Sequence, residues 1–316
     1  MPQFDLADCL LGAETPSIRY LTATALLNRD ESDAQVLSDR QAMKTDGPMP
    51  AIFAKQTASG QWAHDSNYYQ PKYVSTHWSL MLLTELCVDP ADTRFQRGVD
   101  HMLTATDEER LHWMSDDHGL SCFWGNLLRY ALHAGRADDP RVQSIVDYVA
   151  RDISNGHGLC RFNVGKSCAW GVVRGLWGLA ALPPEYRGSS VQSAIEHALP
   201  FLQDTFSLLE ANYPAPDNGK THSLWFKLNF PLFYQVDILF TLRILGELGV
   251  VDHPGTAAAL DWLEAQRLRN GRWRGRNLYG SRTWRELGGS AETARWVSLQ
   301  SATILQQAGR LKFEMA

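Results

Sequence analysis

Asp237 is the residue of this chain with the clearest potential for chemistry, because it follows Phe233 and Tyr234 in an otherwise apolar stretch. A carboxyl group held among apolar and aromatic side chains has a raised pKa and is able to donate a proton. We therefore predict that Asp237 is a general acid, with Tyr234 and His77 as its polar partners. The alternative is that Asp237 caps a helix or pairs with Arg243.

Large aromatic residues are frequent in this sequence, with 11 Trp, 10 Tyr and 12 Phe among 316 residues. Trp at this frequency indicates that large rings line a core or a cavity. Rings that face a cavity can stabilise a carbocation formed by proton transfer. We predict that these rings wall a substrate cavity: Trp78, Trp124, Trp170, Trp296 and Phe233.

Two cysteines and a histidine form a candidate metal site. Cys122 and Cys168 are 46 residues apart, and His77 lies about one further step upstream. Catalytic zinc takes three protein ligands and keeps one position open. A protein without a cofactor is our first prediction, and zinc held by these three residues is the second. Alternatively, the cysteines are small packing residues where helices crowd, or one of them is a reactive nucleophile.

Three basic residues precede the apolar segments and form a candidate anion site. Lys72, Lys166 and Arg282 lie in the loops just before predicted helix starts, where backbone N–H groups also favour anions. They would suit a diphosphate, a carboxylate or a carrier-bound thioester. The alternative is a set of solvated loop charges.

Composition excludes several classes of function. The net charge is -5 and no segment is a basic block, so we predict no nucleic-acid partner. We see no signal peptide and no run of about 18 apolar residues, so we predict a cytoplasmic protein without a transmembrane segment. Peripheral membrane contact is left open. The sequence does not predict the oligomeric state.

The elements that must position these residues repeat along the chain. A period of 46 residues separates Trp78, Trp124 and Trp170, each near the start of a segment that is apolar on nearly every face. Repeats of this length are typical of helical hairpins that bury their apolar faces only against their neighbours. Similar amphipathic segments alternate with these apolar ones, at 94–101, 141–148, 190–197 and 257–262.

Alternating buried and amphipathic helices predict one all-α domain over residues 1–316, an (α/α) toroid of about five to six hairpins. The small hydrophobic substrate would occupy its centre. The predicted subdivisions are an N-terminal cap with the first helices in 1–47, the repeats in 48–310, an insertion at 208–229, and a fourth buried helix that begins at Phe233.

Two segments support a family resemblance. Gln56 is followed by Gly60-Gln61-Trp62, and Gln266 is followed by Gly271-Arg272-Trp273. This pattern resembles the QW repeat of squalene and terpene cyclases and of protein prenyltransferase β subunits. Gly permits a tight turn after a helix, and Trp can pack between neighbouring hairpins. The resemblance covers roughly residues 48–310, which is enough for a single toroid.

The resemblance implies a terpene cyclase-like enzyme, a cyclase, isomerase or lyase of secondary metabolism, that acts on an isoprenoid or polyene-like substrate. The Asp-x-Asp-Asp and Asp-Asp-x-x-Asp motifs of such enzymes are absent. Relatives of this fold that carry zinc imply one alternative, a zinc-dependent toroid enzyme. The missing motifs favour another, a non-catalytic toroid that binds a hydrophobic ligand or a peptide.

Overall fold

The computed structural model describes residues 6–63, 67–107, 120–156, 158, 160–163, 165–205, 208–209 and 221–313. Within these ranges the regular structure is helical, with isolated β-bridges and no strand. None of the helices in these ranges is both long and apolar enough to cross a lipid bilayer. The α-helices are α1 (Leu6–Leu11), α2 (Pro16–Leu21), α3 (Ala34–Thr45), α4 (Pro48–Phe53), α5 (Thr76–Glu85), α6 (Thr93–Ala105), α7 (Ser121–His133), α8 (Pro140–Gly156), α9 (Ala169–Ala180), α10 (Ser189–Pro200), α11 (Ile238–Glu247), α12 (Ala257–Ala265) and α13 (Ser290–Gln307).

Buried and amphipathic helices alternate along the chain. Nearly every side chain of α5, α9 and α11 is buried, whereas α6 and α8 each bury one face. A helix that is apolar on all sides is stable only where neighbours cover each side. The prediction of an all-α fold built from this alternation is therefore confirmed.

The buried helices pack against one another in chain order. Helix α5 contacts α7, α7 contacts α9, α9 contacts α11, and α11 contacts α13, which also packs against α2 and its π-helical continuation Thr22–Leu26. Helices α6, α8 and α12 each contact the buried helices that precede and follow them. The starts of α5 and α7 lie together, where His77 stacks on Phe123, and Arg129 near the end of α7 reaches α9 and α11 close to their last turns.

Small residues allow the closest of these approaches, between α7 and α9. A Cβ atom on Gly125 would overlap the carbonyl oxygen of Arg174, and one on Gly178 would lie 2.6 Å from the carbonyl oxygen of Gly125. Only glycine permits backbones to come this near. This contact carries the guanidinium of Arg174 into the interior, where it is completely buried.

The two Gly-x-Trp turns make the same hydrogen bonds. The indole N–H of Trp62 donates to the carbonyl of Ile52 (2.7 Å), and that of Trp273 donates to the carbonyl of Leu263 (2.8 Å). The backbone N–H of each tryptophan donates to a hydroxyl of the next buried helix, at 3.0 and 2.9 Å. Both rings are fully buried. Each tryptophan therefore joins the helix before its turn to the buried helix after it.

The glutamine that precedes each Gly-x-Trp turn hydrogen-bonds to the glycine carbonyl in only one of the two turns. Gln56 Nε2 donates to the carbonyl of Gly60 at 3.1 Å. In the second turn Arg267 takes this position, because its Nε donates to the carbonyl of Gly271 at 3.0 Å. Gln266 instead points back along its own helix.

Helix α11 begins later than the sequence predicted. Residues 233–237 are not helical, and the first helical residue is Ile238 rather than Phe233. The cause is Asp237, whose extended backbone precedes the helix and whose Oδ1 accepts the N–H of Phe240 at 2.8 Å. Residues 210–220 of the predicted insertion lie outside the described residues.

Candidate functional site

Aromatic side chains meet at the starts of α5 and α7 and in the segment before α11. His77 stacks on Phe123 with 4.6 Å between ring centroids, and Trp78 lies 5.5 Å edge-on from Phe233. The tyrosine of the loop before α5, Tyr69, lies 4.7 Å from Trp78. We call the following set the aromatic cluster: Tyr69, Tyr73, His77, Trp78, Phe123, Trp124, Tyr130, Phe233, Tyr234 and Tyr279.

The aromatic cluster is filled by its own side chains. His77, Trp78, Trp124 and Phe233 are at most 1% exposed, and they contact one another or further rings of the cluster. Tyr234 is only partly buried, so one side of the cluster meets the surface. Trp78, Trp124 and Phe233 are three of the five rings predicted to wall a cavity, and here the space among the buried members of the cluster is occupied by rings.

His77 is neutral in this setting. Burial, with the charge of Arg174 as a smaller cause, lowers the pKa of His77 to about 3. Its Nδ1 lies 3.2 Å from the hydroxyl of Tyr130, while its buried Nε2 has no partner among the described residues. An imidazole with this pKa is a hydrogen-bonding group at neutral pH and a poor proton donor.

The predicted cations do not converge on one point. Lys72 Nζ lies 5.2 Å from the centre of the Tyr234 ring, and the guanidinium of Arg282 lies 5.3 Å from that of Tyr73. Lys166 lies in the loop before α9, where its backbone pairs with Cys160. Two of the three basic residues therefore cover rings of the aromatic cluster, and the third belongs to another loop.

Trp170 is not one of the rings of the aromatic cluster. Its ring contacts that of His222, with 5.0 Å between ring centroids.

A wide surface groove of about 670 Å³ lies at the start of α13, between Arg276, Arg285 and residues 288–290. None of the predicted site residues lines this groove. The predicted set is therefore divided among several parts of the fold.

The predicted zinc ligands are not grouped around one point in this structure. The neighbouring Cys168 lowers the pKa of Cys160 to about 6. Burial raises the pKa of Cys122 to about 12. Within the described residues no three His, Cys, Asp or Glu side chains converge to hold a metal ion. Cys122, Cys168 and His77 do not fit a three-ligand site here, and zinc stays a prediction.

A cavity of about 180 Å³ lies away from the aromatic cluster, between α2, α5, α11 and α13. Its apolar walls include Trp296, one of the residues predicted to wall a substrate cavity. The ring of Phe230 stacks on Trp296 with 4.3 Å between centroids. We call this space the C-terminal cavity, and it is lined by Leu21, Ala25, Glu85, Arg243, Glu247, Trp296, Leu299, Gln300, Thr303, Ile304 and Gln307.

Ion pairs border the C-terminal cavity. Arg243 Nη2 lies 3.2 and 3.0 Å from the two carboxylate oxygens of Glu85, whose side chain is only 10% exposed. Arg129 pairs with Glu247 at 2.6 Å. Partly buried charges need such partners, because the loss of hydration is otherwise uncompensated.

Asp237 lies beside this cavity rather than in the aromatic cluster. It shares a gap too narrow for a water molecule with Glu85, Arg243 and Phe240. Burial raises the pKa of Asp237 to about 6, although donors from Phe240 and Asn229 oppose the shift. The backbone N–H and the Nδ2 of Asn229 donate to Asp237 Oδ2 at 2.9 and 2.8 Å. The predicted acid is thus also the cap of α11.

Arg174 lies between the aromatic cluster and the C-terminal cavity. Its guanidinium is 3.9 Å from the centre of the Phe240 ring, and Nη2 donates to the carbonyl of Gln235 at 2.6 Å. Burial lowers the pKa of Arg174 to about 10. Nε and Nη1 have no partner in the part of the chain that the structure describes.

Glu85, Arg174 and the cavity role of Arg243 were not predicted from the sequence. Each is a charged residue on a helix whose other side chains are mostly apolar. Such a charge is costly to bury unless a partner or a cavity meets it. A charged residue among apolar ones was therefore a usable signal of a partner or a cavity, although it does not identify the partner residue.

Comparisons of the chain with protein-family models, curated proteins and solved structures returned no match. The resemblance to cyclases therefore depends on the repeat and on the two Gly-x-Trp turns.

Proposed function

We propose that the buried helices close into a ring, the (α/α) toroid of squalene and terpene cyclases, with α2 between α13 and α5. The packing of α5 through α13 in chain order supports this closure, as does the contact of α13 with α2. The hydroxyl of Ser17 in α2 donates to the carbonyl of Leu86, just after α5, at 2.7 Å. The matching bonds of the two Gly-x-Trp turns support the repeat.

Within this ring the protein is a terpene cyclase-like enzyme that protonates a small isoprenoid-like substrate in the C-terminal cavity. One observation carries the proposal: a buried carboxyl group, Asp237, with its pKa raised to about 6, adjoins a cavity walled by Trp296 and aliphatic side chains. A proton donor with a pKa near neutral beside an aromatic wall suits the formation of a carbocation.

The size of the cavity limits the substrate. Its volume of about 180 Å³ is only slightly larger than that of apolar protein cavities of about 150 Å³ that bind benzene. A long polyene would not fit inside it. The substrate, or the reacting part of it, is therefore about one isoprene unit or one six-membered ring in size.

Glu85 lines both the gap beside Asp237 and the C-terminal cavity, so it carries the proton between them. Protonation of the terminal carbon of an alkene leaves a tertiary carbocation, which the face of Trp296 stabilises. Loss of a proton from the neighbouring carbon to the Glu85 carboxylate, followed by return of that proton from Glu85 to Asp237, completes the isomerisation and restores both carboxyl groups to their starting states. Arg243 holds the Glu85 carboxylate in place. His77 and Tyr234 lie at the other end and have no part in this reaction.

The test uses the alkene 3-methylbut-3-en-1-ol as a probe in heavy water. The wild-type protein should convert it to 3-methylbut-2-en-1-ol with deuterium in a methyl group, measured by NMR and mass spectrometry. Turnover should fall as the pH rises through about 6, because the reaction needs protonated Asp237. Asp237→Asn should reduce the rate about a hundredfold or more, the usual contribution of a general acid.

The matched control is Asp33→Asn, because Asp33 caps α3 in the same way and does not line the cavity. If both variants keep wild-type turnover, the acid assignment is wrong. If the probe binds to folded wild-type protein and returns without deuterium, the protein is a binding toroid rather than an enzyme. Native mass spectrometry of the purified protein tests for a co-purified ligand and for bound zinc.

A further inference from the structure

One buried polar side chain of the C-terminal cavity has no part in the proposed reaction. Gln300 of α13 is 9% exposed and lines both the cavity and the narrow gap beside Asp237. Its amide makes no hydrogen bond to any described residue, whereas the neighbouring Thr303 hydroxyl donates to the carbonyl of Leu299 at 2.9 Å. The fully enclosed polar atoms without a partner belong to other residues, so this amide borders the open space. A buried amide in this position costs free energy unless a bound molecule pairs with it.

The charged groups around the C-terminal cavity are already paired. Arg243 holds the Glu85 carboxylate, and Arg129 pairs with Glu247 at 2.6 Å. The residues that line the cavity, all of them described, therefore offer no free cation that could hold a phosphate or a carboxylate. The two lining carboxylates would also repel such an anion. This lining favours a neutral ligand.

The amide of Gln300 matches a hydroxyl group. An amide offers both donors and an acceptor, and so does a hydroxyl group, whereas a hydrocarbon leaves the amide without a partner. Gln300 follows Trp296 by four positions on α13, and residues at this spacing share one face of a helix, with about 5–6 Å between their Cβ atoms. A ligand whose hydroxyl group binds Gln300 therefore has its hydrocarbon part beside the ring of Trp296.

We propose that the substrate of the proposed isomerisation, on which this assignment rests, is a neutral alcohol of about five carbon atoms, a size that the cavity volume of about 180 Å³ admits. Gln300 binds its hydroxyl group and is the specificity-determining residue. The proton transfers belong to Asp237 and Glu85.

The experiment measures the binding of saturated, unreactive probes to the full-length protein, so its outcome does not depend on turnover. The probe 3-methylbutan-1-ol carries the hydroxyl group, 2-methylpentane has a methyl group in its place, and 3-methylbutyl phosphate carries an anion. Headspace gas chromatography gives the Kd of the two volatile probes, and ligand-observed NMR detects binding of the phosphate.

Gln300→Met replaces the amide by an apolar group of similar shape. It should raise the Kd of the alcohol relative to that of the hydrocarbon about tenfold, because the hydroxyl group then has no partner. The phosphate should not bind to the wild-type protein at concentrations at which the alcohol saturates it. Because Gln300→Met removes no hydrogen bond within the described protein, its free energy of unfolding in urea should not fall.

The matched control is Gln306→Met on the same helix, because the amide of Gln306 donates to the carbonyl of Leu26 at 3.0 Å and does not line the cavity. This variant should leave the ratio of the two Kd values unchanged. The assignment is overturned if Gln300→Met changes the affinities for alcohol and hydrocarbon equally, or if the phosphate binds more tightly than the alcohol. A clear loss of stability in Gln300→Met would also overturn it.

The alcohol assignment and the proposed isomerisation can fail separately. If 3-methylbutan-1-ol binds with the expected dependence on Gln300 but 3-methylbut-3-en-1-ol returns without deuterium, the hydroxyl site stands and the isomerisation is wrong. If 3-methylbut-3-en-1-ol is isomerised while Gln300→Met does not distinguish alcohol from hydrocarbon, the isomerisation stands and the alcohol assignment is wrong.

Discussion

At the starts of the buried helices, aromatic rings fill the interior, whereas at the other end ion pairs border an open cavity. The difference follows from how the two kinds of side chain are satisfied. Rings pack against one another and leave little space. Arg243 and Glu85 must hold each other in a fixed geometry, and their polar heads cannot be covered as closely by apolar groups. A high content of aromatic residues therefore indicates a core here, and isolated charges on apolar helices indicate the cavity.

The largest effect should come from removing a ring at the packed end. Trp78→Ala should lower the free energy of unfolding by about 4 kcal/mol, because it removes a fully buried ring and leaves a void. Urea unfolding followed by circular dichroism measures the loss. The control, Trp170→Ala, alters a ring that is only partly buried and should cost clearly less. Equal losses would contradict the claim that the aromatic cluster is tightly packed.

The two ends should respond to pH in opposite directions. The folded-state pKa of Asp237 is raised to about 6, so its contribution to stability is present below its unfolded pKa and is lost as pH rises through 6. The folded-state pKa of His77 is lowered to about 3, so its contribution is present above its unfolded pKa and is lost as pH falls towards 3. The Asp237 shift of about two units corresponds to about 3 kcal/mol.

Single variants separate these two contributions. Between pH 4 and pH 6, Asp237→Asn should make stability rise more steeply with pH, and His77→Gln should make it fall with pH. Urea unfolding at a series of pH values measures both slopes. A slope that is unchanged in Asp237→Asn would show that this carboxyl group does not titrate between these limits.

The ion pair at the cavity should matter more than a surface pair. Arg243→Met leaves the nearly buried Glu85 carboxylate without its partner, so we expect a loss of about 2 kcal/mol in the free energy of unfolding. Arg40→Met breaks an exposed pair with Glu31 and should cost less than about 0.5 kcal/mol. A double-mutant cycle with Glu85→Gln isolates the coupling, and a coupling near zero would argue against the pair.

The smallest effect concerns the cation at the surface of the aromatic cluster. Lys72→Met should cost about 0.5 kcal/mol, because it removes a partly exposed cation from the rings of Tyr69 and Tyr234. High salt should reduce the difference between wild type and variant. Lys44→Met, an exposed change on α3, is the reference. A loss several times larger would mean that Lys72 positions the loop before α5.

The sequence by itself determined the helices and their alternation, because hydrophobic periodicity and glycine positions act over a few neighbouring residues. It also identified the two Gly-x-Trp turns, whose hydrogen bonds join elements that are close along the chain. Asp237 was predicted to be an acid for the same reason, because its apolar neighbours are close to it along the chain.

Only the tertiary structure decided where space remains and which side chains meet. Glu85 and Arg243 lie 158 positions apart, and their contact depends on how four helices pack. Likewise, the sequence placed Asp237 among rings, but its own capping of α11 turned it towards Glu85. Distant pairs depend on the relative rotation and spacing of whole helices, which short-range sequence patterns do not encode.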